Sequence, residues 1–333
     1  MEKLKLTIAL SDTPGVRALR DGRVEVAGAE LLFMDVHPHV AAYRQMVREQ
    51  SFDICELAAT TYLVAKSFGY PLSAVPVFLQ RGFHHGAVVV REDAGICDPR
   101  DLHGRKVGVR AYSVTTGVWG RGILMEEYGL DASKVTWVVD DEEHVSELRL
   151  PANVEHVEAG NSIAAMMAAG SLDAGFGGDA GIGRSGAPKA GWNVPSSSNA
   201  SHYAPLLDKA DTLAADWWQR TGIYPIHGVL VIKSSLTQAY PWLADALVEA
   251  FEEAKRIWLA ERTSGAGMSA VDLHFDRLAS IVGSDLLPNG IPANRATLEA
   301  LQRMALAQKL IALQLPLDEL FLPVSNAPFA HGA

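Results

Sequence analysis

The chain has 333 residues, 48% of them hydrophobic and 20% charged, with a formal net charge of −10 and an isoelectric point near 5.6. That length allows two domains with a core each, and the composition excludes disorder. An acidic balance without a basic stripe excludes a nucleic-acid partner, and no run reaches the ~18 apolar residues of a membrane span.

At the start of the chain, Leu4, Leu6 and Ile8 alternate with Lys3, Lys5 and Thr7, the pattern of a half-buried strand. A secretion signal would need a longer apolar core and a small-residue cleavage site, so a cytoplasmic location is expected. Ser11-Asp12-Thr13-Pro14-Gly15 is then a loop opening onto a turn or helix. Residues 24–26 and 31–34 make a second strand region, and 43–50 a short amphipathic helix. Residues 52–57 are an apolar strand whose end carries Glu56, Thr60 and Thr61, and 75–79 and 86–91 are two more strands. Cys55 and Cys97 lack a metal-type spacing and are expected to be buried free thiols.

The polar stretch from Glu92, with Asp98-Pro99-Arg100-Asp101, leads into a strand over 106–109 and marks the crossing into a second lobe. Tyr112, Ser113, Thr115 and Thr116 precede a helix over 117–128, a place where hydroxyls and backbone N–H groups can hold an anion. A strand over 135–139, a helix over 163–169 and a strand over 173–176 continue this lobe. Gly177-Gly178-Asp179 ends the last of these, where an α/β crevice forms. Residues 181–201 are rich in Gly, Ser, Pro and Asn and are expected to be a surface loop. Tyr224-Pro225-Ile226-His227 leads into a strand over 229–232 that returns the chain to the first lobe, with outer helices over 242–262 and 294–313. Strands alternating with helices imply α/β architecture with a largely parallel sheet. The domains are expected to be 1–91 with 226–333 as lobe one, and 92–225 as an inserted lobe two.

Several of these stretches carry a resemblance: Phe52-Asp53-Ile54-Cys55-Glu56-Leu57, Val75-Pro76-Val77-Phe78-Leu79, the cluster from Arg81 to His85, the run from Asp98 to Val109, Trp119, Thr221-Gly222-Ile223-Tyr224-Pro225-Ile226 and Ala293-Asn294-Arg295-Ala296-Thr297-Leu298-Glu299. In this order, over nearly the whole chain, they resemble the 4,5-dihydroxyphthalate decarboxylase family. The resemblance implies a cytoplasmic relative of type II periplasmic solute-binding proteins, two-lobed, with two crossovers and a ligand cleft between the lobes. It also implies loss of carbon dioxide from 4,5-dihydroxyphthalate to give protocatechuate in bacterial phthalate breakdown. Where the family motif after Tyr-Pro-Ile reads Met-His, this chain has His227-Gly228.

Such a reaction needs a proton at the ring carbon that loses its carboxylate, grips for two carboxylates, and an acceptor for the phenols. Arg81 at a strand end is the first candidate clamp and Arg17 the second, because guanidinium pairs bidentately with carboxylate. Asp12 is placed to accept from a phenol. His84 and His85 are adjacent and face opposite ways in a strand. His85 matches the family's histidine and is the expected acid/base, with His227 its rival. Glu56, if desolvated, would have a raised pKa suited to proton transfer. Thr60, Thr61, His84, Tyr112, Thr115, Thr116, Asp179 and Tyr224 complete the expected substrate contacts, while Trp119 is expected in the core. No cofactor is expected. His84, His85, His227, Glu56 and Asp179 show no HExxH-type spacing, and a divalent metal stays open. The expected partner is a small aromatic dicarboxylate, and a homo-oligomer is left open. Two other functions remain: decarboxylation of a related hydroxylated aromatic acid, and non-catalytic binding of an aromatic acid.

Overall fold

The computed structural model describes residues 2–183, 203–263 and 270–325. The expected loop over 181–201 lies almost wholly outside the described residues. Among the described residues eleven strands follow in chain order: β1 (Leu4–Ala9), β2 (Ala29–Phe33), β3 (Ile54–Ala58), β4 (Leu72–Arg81), β5 (Val88–Arg91), β6 (Lys106–Gly108), β7 (Thr136–Val139), β8 (Val154–His156), β9 (Ala174–Phe176), β10 (Tyr203–Pro205) and β11 (Ile226–Lys233). They form a five-stranded sheet, β2-β1-β3-β11-β4, and a six-stranded sheet, β10-β5-β9-β6-β7-β8.

The chain divides into two compact units, one of residues 1–82, 218–300 and 315–333, the other of 83–217 and 301–314. The expected boundary after residue 91 moves forward for a physical reason. Strand β5 pairs antiparallel with β9 and β10, so its ladder belongs to the second unit's sheet. The helix Ile291–Ala307 starts in the first unit and ends in the second.

In the first unit β1 and β3 run parallel, and β11 runs antiparallel to both β3 and β4. The carboxyl ends of β1, β3 and β4 and the start of β11 therefore share one sheet edge. Apolar alternation drives this assembly: Leu6 and Ile8 of β1 pack with Val75 and Val77 of β4, Leu230 and Ile232 of β11, and Leu247 and Phe251 of the helix Leu243–Thr263. Each such side chain, fully buried, contributes about 1.5–3 kcal/mol. β3 is buried along its whole length, as expected for an apolar strand flanked on both sides.

The expected strand at 24–26 does not form. Val24 and Val26 instead sit in the core as part of an irregular segment, and Ala29–Phe33 alone pairs with β1. Gly22 and Gly28, both at positive φ, bracket that segment and end any extended run. The expected helix at 117–128 starts earlier, at Thr115, which puts both threonines in its first turn.

In the second unit β6 runs parallel to β7 and β9, and β7 to β8. The carboxyl ends of β6, β7 and β9 and the start of β5 share an edge. Trp119, Trp137 and Phe176 are fully buried here, so Trp119 is a core residue. Cys55 is buried as expected, whereas Cys97 is exposed and donates its N–H to Asp101 ahead of a short 3₁₀ turn; neither is in a disulfide.

Candidate functional site

The first unit's sheet edge gathers several of the expected residues. β1 ends in a loop with half-buried Ser11 and exposed Asp12, and Arg17 follows half-buried in the next turn. β3 ends on Ala58, and Thr60 and Thr61 are buried in the first turn of the helix Ala59–Ser67. At the start of β11, Ile226 pairs with Arg81 and Gly228 with Gln80. Two steps along β11 thus match one along β4, and His227 is the extra residue of a bulge. Bulges re-aim a side chain at a sheet rim, and His227 is half-buried there.

Glu56 lies beneath this edge with its carboxylate sealed from solvent. Oε2 accepts the Ser11 N–H at 3.0 Å, and Oε1 accepts the Gln80 side-chain amide at 2.8 Å, which also reaches Ser11 Oγ at 2.9 Å. His39, at the start of the helix Val40–Glu49, places Nε2 3.6 Å from Oε2. Burial raises the Glu56 pKa above the ordinary value despite the hydrogen bonds and the charge of Arg20. The neighbouring backbone is glycine out of necessity. A Cβ on Gly228 would stand 3.1 and 3.3 Å from Cδ and Cγ of Glu56 and closer still to Oε1.

Arg81 is placed inside the unit rather than on its surface. Its guanidinium donates to the Tyr224 carbonyl at 2.9 Å, the Pro288 carbonyl at 2.8 Å and Asn294 Oδ1, and it stacks 4.9 Å from the Tyr224 ring and 5.3 Å from that of Phe78. Burial brings its pKa down to about 10. Tyr224 is buried too, its hydroxyl donating to the Leu286 carbonyl at 3.2 Å, and burial raises its pKa.

The second unit's edge gathers the rest. His85 is buried edge-on against Trp217, ring centroids 5.3 Å apart, with Phe83 at 6.5 Å, whereas His84 is half-buried. The Gly177 N–H donates to the Ala87 carbonyl at 2.8 Å, so the loops bearing His85 and exposed Asp179 lie at the same rim. Tyr112 and Thr115 are buried and Thr116 half-buried.

Glu143 meets the backbone donors of this segment. It accepts the Tyr112 N–H at 2.6 Å, the Ser113 N–H at 3.2 Å and the Ser113 hydroxyl. Burial raises its pKa in spite of those bonds. Beside it Arg110 and Asp141 form a buried pair at 3.0 Å, and Arg121 stacks 4.1 Å from the Tyr112 ring.

Sequence reasoning missed His39, Gln80, Glu143 and the Arg110–Asp141 pair. The signal for Glu143 was available: Asp140-Asp141-Glu142-Glu143 directly follows a parallel strand, where α/β crevices form. Among the described residues no group of three or more His, Cys, Asp or Glu side chains is placed to hold a metal ion. No helix among them is long and apolar enough to cross a membrane.

The two buried carboxyls carry a pH signature. A raised folded pKa means stability that is complete below the unfolded value of 4.5 and is lost as pH rises through the folded value. Urea melts taken at rising pH above 4.5 are expected to show this loss. Glu56→Gln is expected to flatten it, and an unchanged slope in Glu56→Gln would show that Glu56 ionises as easily folded as unfolded.

Comparison with known proteins gives consistent answers. The family described as "ABC transporter, phosphonate, periplasmic substrate-binding protein" matches residues 31–187. Among solved structures, the desulfurization enzyme DSZB is 17% identical with a TM-score of 0.55, covering 96% of this chain and 97% of its own. The periplasmic aliphatic sulphonate binding protein SsuA from Escherichia coli is 13% identical with a TM-score of 0.55, covering 100% and 96%. These two likenesses establish the periplasmic-binding-protein-like α/β fold. A Pseudomonas putida protein named 4,5-dihydroxyphthalate decarboxylase is 39% identical over 52% of this chain and 70% of its own. One of the same name from Comamonas testosteroni is 34% identical over 99% of both chains. With that end-to-end likeness, the chain belongs to the 4,5-dihydroxyphthalate decarboxylase family.

Proposed function

We propose that the chain decarboxylates 4,5-dihydroxyphthalate to protocatechuate and carbon dioxide. The observation that carries this reading is its likeness, over 99% of both chains, to a curated protein of that name. In the proposed reaction a C–H bond forms at the ring carbon bearing one carboxylate. The C–C bond to that carboxylate then breaks, its electron pair restores the aromatic ring, and carbon dioxide leaves. One proton is consumed per turnover, and the phenols supply electron density to the carbon that takes it.

Three residues are assigned to the handling of that proton: His85, His227 and Glu56. The environment of Glu56 supports its part, because burial favours the protonated carboxyl over the carboxylate. His227 on its bulge and His85 against Trp217 are the two candidates for delivery to the ring. Asp12, Arg17, Thr116 and Asp179, each exposed or half-buried, are assigned to the substrate's polar groups. Enclosure of the diacid between the two lobes and action in the cytoplasm belong to this proposal as the resemblance implies them, and no organic cofactor enters it.

Incubation of the purified protein with 4,5-dihydroxyphthalate is expected to yield protocatechuate and carbon dioxide in equal amounts, followed by chromatography and gas trapping. Arms with added divalent metal and with chelator read out any metal requirement. Turnover of a different hydroxylated arene carboxylate alone would replace the substrate. Saturable binding without product would replace the enzyme by a binding protein.

A further inference from the structure

Glu56 poses a problem that the rest of its surroundings solve. Its carboxyl side chain is 1% exposed, so no proton reaches it directly from solvent. Ser11 N–H and the Gln80 amide approach the two oxygens as donors that do not titrate in water's accessible range, and the backbone at Gly228 closes the space against Oε1. A titratable neighbour is His39, whose Nε2 lies 3.6 Å from Oε2 and has no hydrogen-bond partner within ordinary range. The His39 side chain is 18% exposed, and Tyr43 holds its ring edge-on at a centroid distance of 5.2 Å. Exposure thus rises from the carboxyl to the imidazole along one short line.

We propose that His39 is the proton port of Glu56: the buried carboxyl gains and loses its proton through Nε2 of this imidazole. In reloading, the neutral imidazole takes a proton from solvent, and the Nε2–H bond of the resulting imidazolium breaks as the Glu56 O–H bond forms, which leaves the imidazole neutral again. The inference rests on the decarboxylase reading for its purpose, since that reaction consumes a proton in each turnover. His39 acts through Glu56 and is a positioning residue, not one assigned to touch the substrate.

The charged and titratable groups around the pair agree with this division of labour. Burial, with Arg20 at the end of the short helix Arg17–Arg20 and His37 from the segment between β2 and His39, brings His39 down to about 4. Burial raises Glu56, with Arg20 opposing. Burial thus favours the uncharged form of both groups, the protonated carboxyl and the neutral imidazole. Arg20 is held in place by the Leu10 carbonyl at 2.6 Å and Asp35 at 3.3 Å.

The test is a pH jump followed by time-resolved infrared difference spectroscopy, with the Glu56 carboxylic band identified by its loss in Glu56→Gln. In His39→Gln that band is expected to respond at least about tenfold more slowly than in the wild type, with a restoration of rate by added imidazole. His39→Asn serves as the second variant, and in the unmutated protein ¹⁵N shifts of the His39 ring are expected to report the ionisation of Glu56. Equal rates in wild type and His39→Gln, no Glu56-dependent band at any pH, or His39 shifts blind to Glu56 would each overturn the port. Failure to turn over 4,5-dihydroxyphthalate would instead remove the decarboxylase reading, while the infrared outcome still decides the port.

Discussion

Replacing Gly228 by alanine is expected to cut kcat/KM for the aromatic diacid by roughly two orders of magnitude, the scale of a 1 Å misplacement near the chemistry. The new methyl would stand 3.1 Å from Glu56 Cδ and closer to Oε1, and the carboxyl has nowhere to retreat because it is buried on every side. Displacing it breaks the contacts with Ser11 N and the Gln80 amide together, since both converge on the same group. Overpacking of this kind also costs about 1–3 kcal/mol of stability. Steady-state kinetics and urea melts read the two effects separately. Undiminished turnover in a stable Gly228→Ala protein would show that the position of Glu56 does not matter to the reaction. The departure His227-Gly228 from the family's Met-His thus has a structural meaning in this chain: with the carboxyl where it is, position 228 has no room for a side chain.

Arg81→Met is expected to destabilise the protein by about 3 kcal/mol, with a fall in Tm of roughly 6–12 °C. The substitution keeps the apolar stem between Phe78 and Tyr224 but leaves the Tyr224 carbonyl and Asn294 Oδ1 without the Arg81 donor, while the Pro288 carbonyl keeps the Asn294 side-chain amide at 2.9 Å. Each buried acceptor left unsatisfied costs about 1–3 kcal/mol, offset in part because no charge is then buried. The sequence pointed instead to a substrate clamp, whose removal would raise KM in a fully stable protein. Calorimetry and KM on the same variant separate the two roles. A stable Arg81→Met with a raised KM would support the clamp.

Much of the local architecture was legible before any coordinates. Leu4, Leu6 and Ile8 announced β1 by their period of two, and the unbroken apolar run around Ile54 announced a strand buried on both faces. Asp179 falls in the turn after β9, near the expected strand end, whereas Glu56, expected at a strand end, is the middle residue of β3 because that strand runs on to Ala58. Val24 and Val26 show the limit of that reasoning: burial is what their alternation encodes, and they are buried without belonging to a strand.

Partnership was not legible. Arg81 and Glu56 are both charged residues within apolar strands, alike in sequence, yet one is tied to carbonyls from residues 224 and 288 and the other is walled by residues 11, 80 and 228. The boundary near residue 83 was hidden for the same reason, because β5 owes its place to pairing with β9 and β10 far along the chain. What the sequence by itself determined was the family, the α/β alternation and the set of strand ends from which a site can be built. Only the tertiary structure decided which of those residues meet, and so placed His39 against Glu56. Hydrophobic period is a local property of a strand or helix, whereas the environment of a buried charge is set by loops that are distant in the chain and meet only after the sheet has formed.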